Sequence, residues 1–540
     1  MSYVCHTITD TSNLKENYAR LAVIFKSQKP DVVLPRLDLT TVVLHRAKEL
    51  GDRTALIDGT TGDTLSFTEL AEQIERFATG LHLRGFKKGD VFAIFCPNVP
   101  EYAVVFLGVA AAGGINTTVN SLYSTNDLIH QFKDSGAKFL LTIPALLERA
   151  LPAARACNIE EVFVLGTAPG ATSYSELLNN NGARPALAID PRADLVALPY
   201  SSGTTGLSKG VMLTHENLIA NMVLSSEINY IDENDTLIGI LPFFHIYGMV
   251  LILNLAIYRG ARLVTMPRFD LEQFLGIVQK YRVTALNLVP PLVLALTKHP
   301  LVANYDLSSV RIIGCGAAPL GEDLEQACGK RLNCKIYQGY GLTEVAGASH
   351  VLPVAEARNK PGAVGPVLPN TQCKVIDTET GAELGVNERG EILIAGPHVM
   401  RGYLNNPEAT ANCIDAAGWF RTGDIGYGDS DGFFYIVDRV KELIKYKGYQ
   451  VAPAELEALL LSHPAIADAA VIPSADEEAG EVPKAFVVLK DPITAEEILR
   501  FVAEQVTPHK KIRKLEFIAE IPKSASGKIL RRVLVERERG

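Results

Sequence analysis

The sequence predicts an α/β fold: a large N-terminal domain of mostly parallel sheets, completed by a β subdomain, followed by a small α+β C-terminal domain. Three observations predict it. Apolar runs alternate with helix-length segments over most of the chain. The texture changes to short strands and turns after Gly365, and a compact helix–strand–strand–helix pattern begins near Lys441. At 540 residues the chain exceeds what one hydrophobic core supports, so two or more domains are expected, divided as 1–440 and 441–540.

The elements follow in order. "VFAIFCP" (91–97) precedes the helix-like "EYAVVFLGVAAAGG" (101–114), then "KFLLT" (138–142) and "EVFVLG" (161–166); "ARLVTMP" (261–267), "ALNLVP" (285–290) and "VRIIGCG" (310–316) come later. Strands apolar on both faces and separated by helical segments indicate covered, largely parallel sheets. "LIGILPFFHIYGMVLILNLAIY" (237–258) has no charged residue and the length of a membrane span. Pro242, His245, Gly248 and Asn254 interrupt it and no basic flank supports insertion, so a strand end, a loop and a buried helix explain it better. "CKVID", "GEILIAG" and "GFFYIVD" supply the β subdomain. The helices "APAELEALLLSH" (452–463) and "TAEEILRFVAEQV" (494–506) enclose the strands "IADAAVIP" and "KAFVVLK" of the last unit.

Net charge is −9, from 52 basic and 61 acidic residues, which disfavours a nucleic-acid binder. The basic run "HKKIRK" (509–514) reads as a solvated face or as a seat for a phosphate-rich ligand. Eight cysteines form no CxxC pair, Cys328 and Cys334 lack zinc spacing, and "MSYVCHTITD" is no secretory leader, so a reduced, cytoplasmic protein with no integral membrane association is expected.

Chemistry is concentrated in a few stretches. In "YSSGTTGLSKGVMLTH" (200–215), Lys209 lies between Ser208 and Gly210, so the common Gly-Lys-Ser/Thr phosphate loop is not matched. Glycines still permit close backbone approach, hydroxyls offer donors, and Lys209 adds a point charge suited to phosphate. "QGYGLTE" (338–344) offers Tyr340 to stack on a purine and Glu344 to hold a cation. "RTGDIGY" (421–427) sets Asp424 where a carboxylate can accept both ribose hydroxyls. "DRVKELIKYKGYQVAPAELE" (438–457) and "PKSASGKILRR" (522–532) add Arg439, Lys441, Lys445, Lys447 and Lys528 beside glycine turns. Each alone reads as an ordinary turn; in this order and spacing they are specific.

Together these motifs resemble those of the adenylate-forming superfamily (acyl-CoA and aryl-CoA ligases, luciferases, peptide-synthetase adenylation domains), and within it the 4-coumarate:CoA ligases. The resemblance spans "LSFTEL" (65–70) to Arg532. It implies an ATP-dependent acid–thiol ligase that forms an acyl-adenylate from a carboxylic acid, aromatic or arylpropenoic, and passes it to coenzyme A. Transfer to an amine, to a carrier-protein thiol, or luciferase-like oxidation are the alternatives it leaves open. It implies that Ser201, Ser202, Gly203, Thr204, Thr205, Gly206 and Lys209 surround the β- and γ-phosphates, that Thr343 binds the α-phosphate, and that Glu344 holds Mg2+. Gln338, Gly339 and Tyr340 are expected on the adenine side, and Asp424 and Arg439 on the ribose. Lys528 is expected between carboxylate and α-phosphate, Lys445 and Gln450 in catalysis, and His245 at the mouth of the acyl pocket. The resemblance further implies a mobile lid hinged at Lys441, whose rotation brings the face with Lys447 and Gly448 toward the thiol. Ile246, Tyr247, Gly314, Cys315, Gly316, Gly339, Gly347 and Ala348 are expected around the acyl group, the last two small enough to admit a larger acid than coumarate.

Overall fold

The computed structural model describes residues 23–183, 186–201, 208–228, 230–357, 359–447, 449–524 and 527–539. Val91–Phe95 is buried at every position, as its unbroken apolar run requires, and pairs in parallel with Ile115–Thr118 and Ala137–Thr142. Glu161–Val164 extends this nine-stranded sheet on one side. On the other, Leu195–Ala197 leads to the antiparallel Lys209–Thr214, on which Gly402–Tyr403 also pairs. A second, eight-stranded sheet is built around Thr236–Gly239, with Arg262–Thr265, Ala285–Leu288, Ile312–Cys315 and Lys335–Leu342 all parallel. Gly347–Val351 closes one edge in antiparallel register.

Two helices fill the space between these sheets. Pro100–Ala111 and His215–Ser226 are buried nearly all round and each touches strands of both sheets, which is why neither shows a polar face. The second starts directly off a strand because Thr214 and Asn217 form a reciprocal capping box. The uncharged stretch 237–258 is the expected strand end, loop and buried helix. Its first helical part, Tyr247–Asn254, is a π-helix, and Leu255–Arg259 continues it to Gly260, at φ 75°. Among the described residues no helix is long and apolar enough to cross a membrane.

The short strands after Gly365 form a wholly antiparallel sheet in which Gln372–Ile376, Gly390–Ala395, Phe420–Gly428 and Phe434–Arg439 are neighbours. Beyond it the chain builds a separate unit with its own sheet and core. Ile466–Asp476 pairs with Gly480–Leu489, flanked by Ile444–Tyr446 and Lys514–Phe517, and Leu456, Leu460, Ile498 and Val502 seal it from the helices.

Candidate active site

Parallel strands deliver their loops to one edge, and crevices there are the usual ligand sites of such sheets. Beyond the carboxyl ends of Ala285–Leu288 and Ile312–Cys315 lies a cavity of about 760 Å³. The antiparallel sheet closes one side through Thr422 and Arg439, and the C-terminal unit reaches in with Lys528. The volume falls within the range of small-molecule sites.

On one flank stand Ser201, Lys209, Thr343 and Glu344. Lys209 Nζ lies 4.9 Å from the ring centre of Tyr403, whose hydroxyl donates to Glu344 Oε1 at 2.9 Å. Tyr403 thus couples a cation and a carboxylate that are 135 residues apart in sequence. It reaches them because Gly402–Tyr403 pairs with Met212 and Val211, a contact with no local sequence signal. Ser202, Gly203, Thr204, Thr205, Gly206 and Gly448 lie outside the described residues.

Asp424 and Arg439 face each other across adjacent strands, Nε to Oδ1 at 3.1 Å, and Tyr340 donates to Asp424 Oδ2 at 2.7 Å. Burial, reinforced by the Asp424 carboxylate, pushes the Tyr340 phenol well above its ordinary value, so it stays a donor. Tyr340, Gly339 and Arg439 line the cavity, whereas Asp424 sits behind them, 5% exposed. Gln338 does not reach the cavity. Its carboxamide is buried, bonded to both backbone groups of Leu320 and to Glu325 Oε2 at 2.7 Å, so it braces the loop that carries Gly316 and Ala317.

At the opposite end Ile246, Tyr247, Cys315, Gly316 and Ala348 line the wall. Gly314 does not: the hydroxyl of Tyr337 occupies the place a side chain would take, 2.5 Å from an added Cβ. Gly347 lines the cavity, but it is glycine for a different reason than room for a substrate. Its φ is 135°, and an added Cβ would meet Asn221 Oδ1 at 2.5 Å. Asn221, fully buried on the inter-sheet helix, clamps this turn through Val345 O, Ala348 O and Ala348 N. Tyr230, Asn287 and Tyr337 complete this end, and none was marked by a glycine-rich motif.

Lys528 is presented by a tight turn closed by Ser524 N to Lys528 O at 2.8 Å. Gly527, at φ 78°, seats this turn on Val289 and Pro291 of the parallel-sheet unit. Burial, then the charge of Arg439, pulls the Lys528 ammonium down to about 8. His245 also lines the cavity; its Nδ1 accepts the Tyr247 amide at 3.3 Å, leaving the ring hydrogen on Nε2. Burial, with Lys528 adding to it, pulls this ring down to about 4, so it is neutral at pH 7. Lys441 lies at the cavity margin. Lys445 and Gln450 are cross-strand partners on an exposed hairpin and do not line the cavity, nor does Lys447, which pairs with Glu478.

The family model described as AMP-binding enzyme matches residues 43–404, and that of the AMP-binding enzyme C-terminal domain matches 455–528. The chain belongs to the AMP-binding enzyme family. The ligase is 46% identical to the 4-coumarate–CoA ligase of Pinus taeda over 95% of this chain and 97% of that one. It is 44% identical to 4-coumarate–CoA ligase 1 of Petroselinum crispum over 95% and 96%. Among solved structures it resembles ATP-bound MatB of Rhodopseudomonas palustris (TM-score 0.85, 28% identity, 93% and 99% coverage). It also resembles the o-succinylbenzoate CoA synthetase of Bacillus subtilis with its acyl-adenylate (0.80, 30%, 92% and 97%). The ligase activates a carboxylic acid with ATP and transfers it to coenzyme A.

Proposed function

We propose that the acid is aromatic or arylpropenoic, that it is activated in the 760 Å³ cavity, and that residues 441–540 act as a lid on residues 1–440. One observation carries this reading. Lys528, from the C-terminal unit, lines the same cavity as Thr343, Glu344 and Arg439, while Lys445 and Gln450 stand outside it. That is the arrangement needed for the first half-reaction.

In that step a carboxylate oxygen attacks the α-phosphorus of ATP and pyrophosphate leaves, so two anions must approach. Lys528 lies between them and offsets their repulsion; Lys209 and Ser201 hold the leaving phosphates, and Thr343 the α-phosphate. Arg439, Asp424 and Tyr340 position the ribose and base. Glu344 and the Thr343 hydroxyl are hard oxygen donors, which suits Mg2+, an ion that takes one or two carboxylates and completes its shell with phosphates and water. When bound there it neutralises phosphate charge. In the second step the thiol of coenzyme A attacks the acyl carbon and AMP leaves. We assign Lys445, Gln450 and Lys447 to a rotated lid pose hinged at Lys441, with Lys528 withdrawn; such closure keeps water from the mixed anhydride. The basic run 509–514, where His509 stacks on Tyr449 at 4.7 Å beside that hairpin, is a candidate seat for the nucleotide phosphates of coenzyme A. The reaction belongs in the cytoplasm, a compartment suited to the free cysteines.

An acid panel with ATP, each acid with and without coenzyme A and read by mass spectrometry, tests this. Aryl and arylpropenoic acids are expected to give acyl-CoA only when coenzyme A is present. Turnover of aliphatic acids alone, or amides as the sole product, overturns the reading.

A further inference from the structure

Residues 400–404 are stitched to both sides of the phosphate end of the cavity. Met400 N donates to Glu344 O at 2.8 Å and Leu404 N to Gly210 O at 2.8 Å, so one short run ties the turn of Glu344 to the strand of Lys209. Between those bonds Gly402 and Tyr403 pair with Met212 and Val211. Gly402 takes φ 147°, where an added Cβ would meet Thr410 Cγ2 at 2.7 Å, and Thr410 Oγ1 accepts the Tyr403 amide at 2.9 Å. This backbone sets the Tyr403 ring between two opposite charges. Lys209 Nζ lies over its face, 4.9 Å from the ring centre, and its hydroxyl donates to Glu344 Oε1 at 2.9 Å. Among the described residues Lys209 and Glu344 make no direct ion pair, although both line the cavity. An ionised carboxylate only accepts, so the phenol gives its one hydrogen to Oε1, and Oε2 has no partner among the described residues.

We propose that Tyr403 is a positioning residue for the adenylation step: it keeps Lys209 and Glu344 from neutralising each other, so that an incoming nucleotide meets a separate ammonium and a separate carboxylate. The proposal rests on the reading that Lys209 holds the leaving phosphates and Glu344 the Mg2+. An ammonium on a ring face is held more loosely than one paired with a carboxylate in a partly buried place. Charged phosphate oxygens therefore draw Lys209 off the ring at little cost. The hydroxyl fixes one carboxylate oxygen, as outer partners do for metal ligands, and leaves the other for the cation. A leucine at this position would let the two side chains collapse into a pair that each nucleotide must break. A phenylalanine separates the two functions, because it retains the ring and removes the hydroxyl. Once pyrophosphate has left, neither function is needed.

Calorimetric titration of ATP into the full chain without acid, once with Mg2+ and once with EDTA, reads these functions apart from turnover. Tyr403→Phe is expected to bind ATP in EDTA as the native enzyme does. It should lose roughly tenfold or more of the tightening that Mg2+ confers, the scale for an outer partner of a metal ligand. Tyr403→Leu should weaken ATP several-fold in EDTA as well. Adenylation should slow in both variants while thioester formation from synthetic acyl-adenylate and coenzyme A stays near the native rate; a merely structural role would depress both steps. Native Mg2+ tightening in Tyr403→Phe, or equal losses of the two variants in EDTA, overturns the proposal. Lys209→Met and Glu344→Gln separate this from failure of the site reading. If the first weakens ATP and the second removes the Mg2+ effect while Tyr403→Phe behaves as native, only the role of Tyr403 falls. If neither changes binding, or Mg2+ does not tighten ATP in the native enzyme, the site reading fails and both fall.

Discussion

Lys528 has two properties that oppose each other with pH. The proposed mechanism needs its ammonium between two anions, yet burial and Arg439 draw its pKa from 10.5 to about 8. In the free enzyme it is charged below about pH 8 and neutral above. The kcat/KM for adenylation should therefore fall above about pH 8, and that limb should vanish in Lys528→Arg, which stays charged. Stability runs the other way. Between about 8 and 10.5 the folded protein binds fewer protons than the unfolded chain, so this group's contribution rises with pH as activity declines. Lys528→Ala should slow adenylation by roughly 10²-fold or more, the scale of one preorganised charged donor. The same variant supplied with synthetic acyl-adenylate and coenzyme A should form thioester near the native rate. An equal loss in both steps would assign Lys528 to the structure of the lid rather than to the chemistry.

At the scale of elements, the turn after Lys335–Leu342 shapes one wall of the cavity. Ala346 and Gly347 both have positive φ, 55° and 135°, and Asn221 binds the backbone on either side. Gly347→Ala should lower the thermal midpoint, with backbone strain alone on the order of 1–3 kcal/mol. It should depress turnover of every acid together, since the Asn221 clamp must give way; selective loss of bulky acids would restore Gly347 to a purely space-making role. In the sequence alone this glycine reads as spare room, because open space and positive φ leave the same letter. The parallel strands were legible, as runs apolar on both faces exclude solvated sheets, and so was the cap at Thr214. The π-helix at Tyr247–Asn254 was not, since an all-apolar helix has no periodicity from which its pitch could be read. Tyr403 carries no local signal for a related reason: its importance comes from a pairing between distant segments.

For the whole molecule, buried charge gathers on the C-terminal side of the junction between the two units. Arg531 pairs with Glu442 at 2.8 Å and with Glu457 at 2.7 Å. Nearby Asp438, on the last strand of the antiparallel sheet, accepts from Ala454 N at the start of the helix Pro453–Ser462. Burial is the main cause that raises Asp438 to about 6 and Glu457 to about 7. Both folded values exceed the unfolded ones, so their contribution to stability is present in full below about pH 4 and is lost as pH rises through 6 and 7. Arg531 counters that loss. Arg531→Met should cost about 3–5 kcal/mol at neutral pH by stranding carboxylates, and less at pH 5. Thermal melting and limited proteolysis at the two pH values read this directly. A pH-independent cost would mean that Arg531 matters for packing and not for charge.

The wall of the proposed acyl pocket also contains a thiol, in an enzyme whose intermediate exists to acylate thiols. Cys315 lines the cavity and is 2% exposed, and burial, with Glu325 and Cys328 adding to it, raises its pKa far above that of a free cysteine. Nucleophilic attack requires thiolate, and at this position essentially none forms. The same dry wall that shelters a mixed anhydride from water therefore protects the enzyme from acylating itself. Among the described residues Cys315 is the one thiol that lines the cavity, so the sulfur that competes for the acyl group is the one that diffuses in.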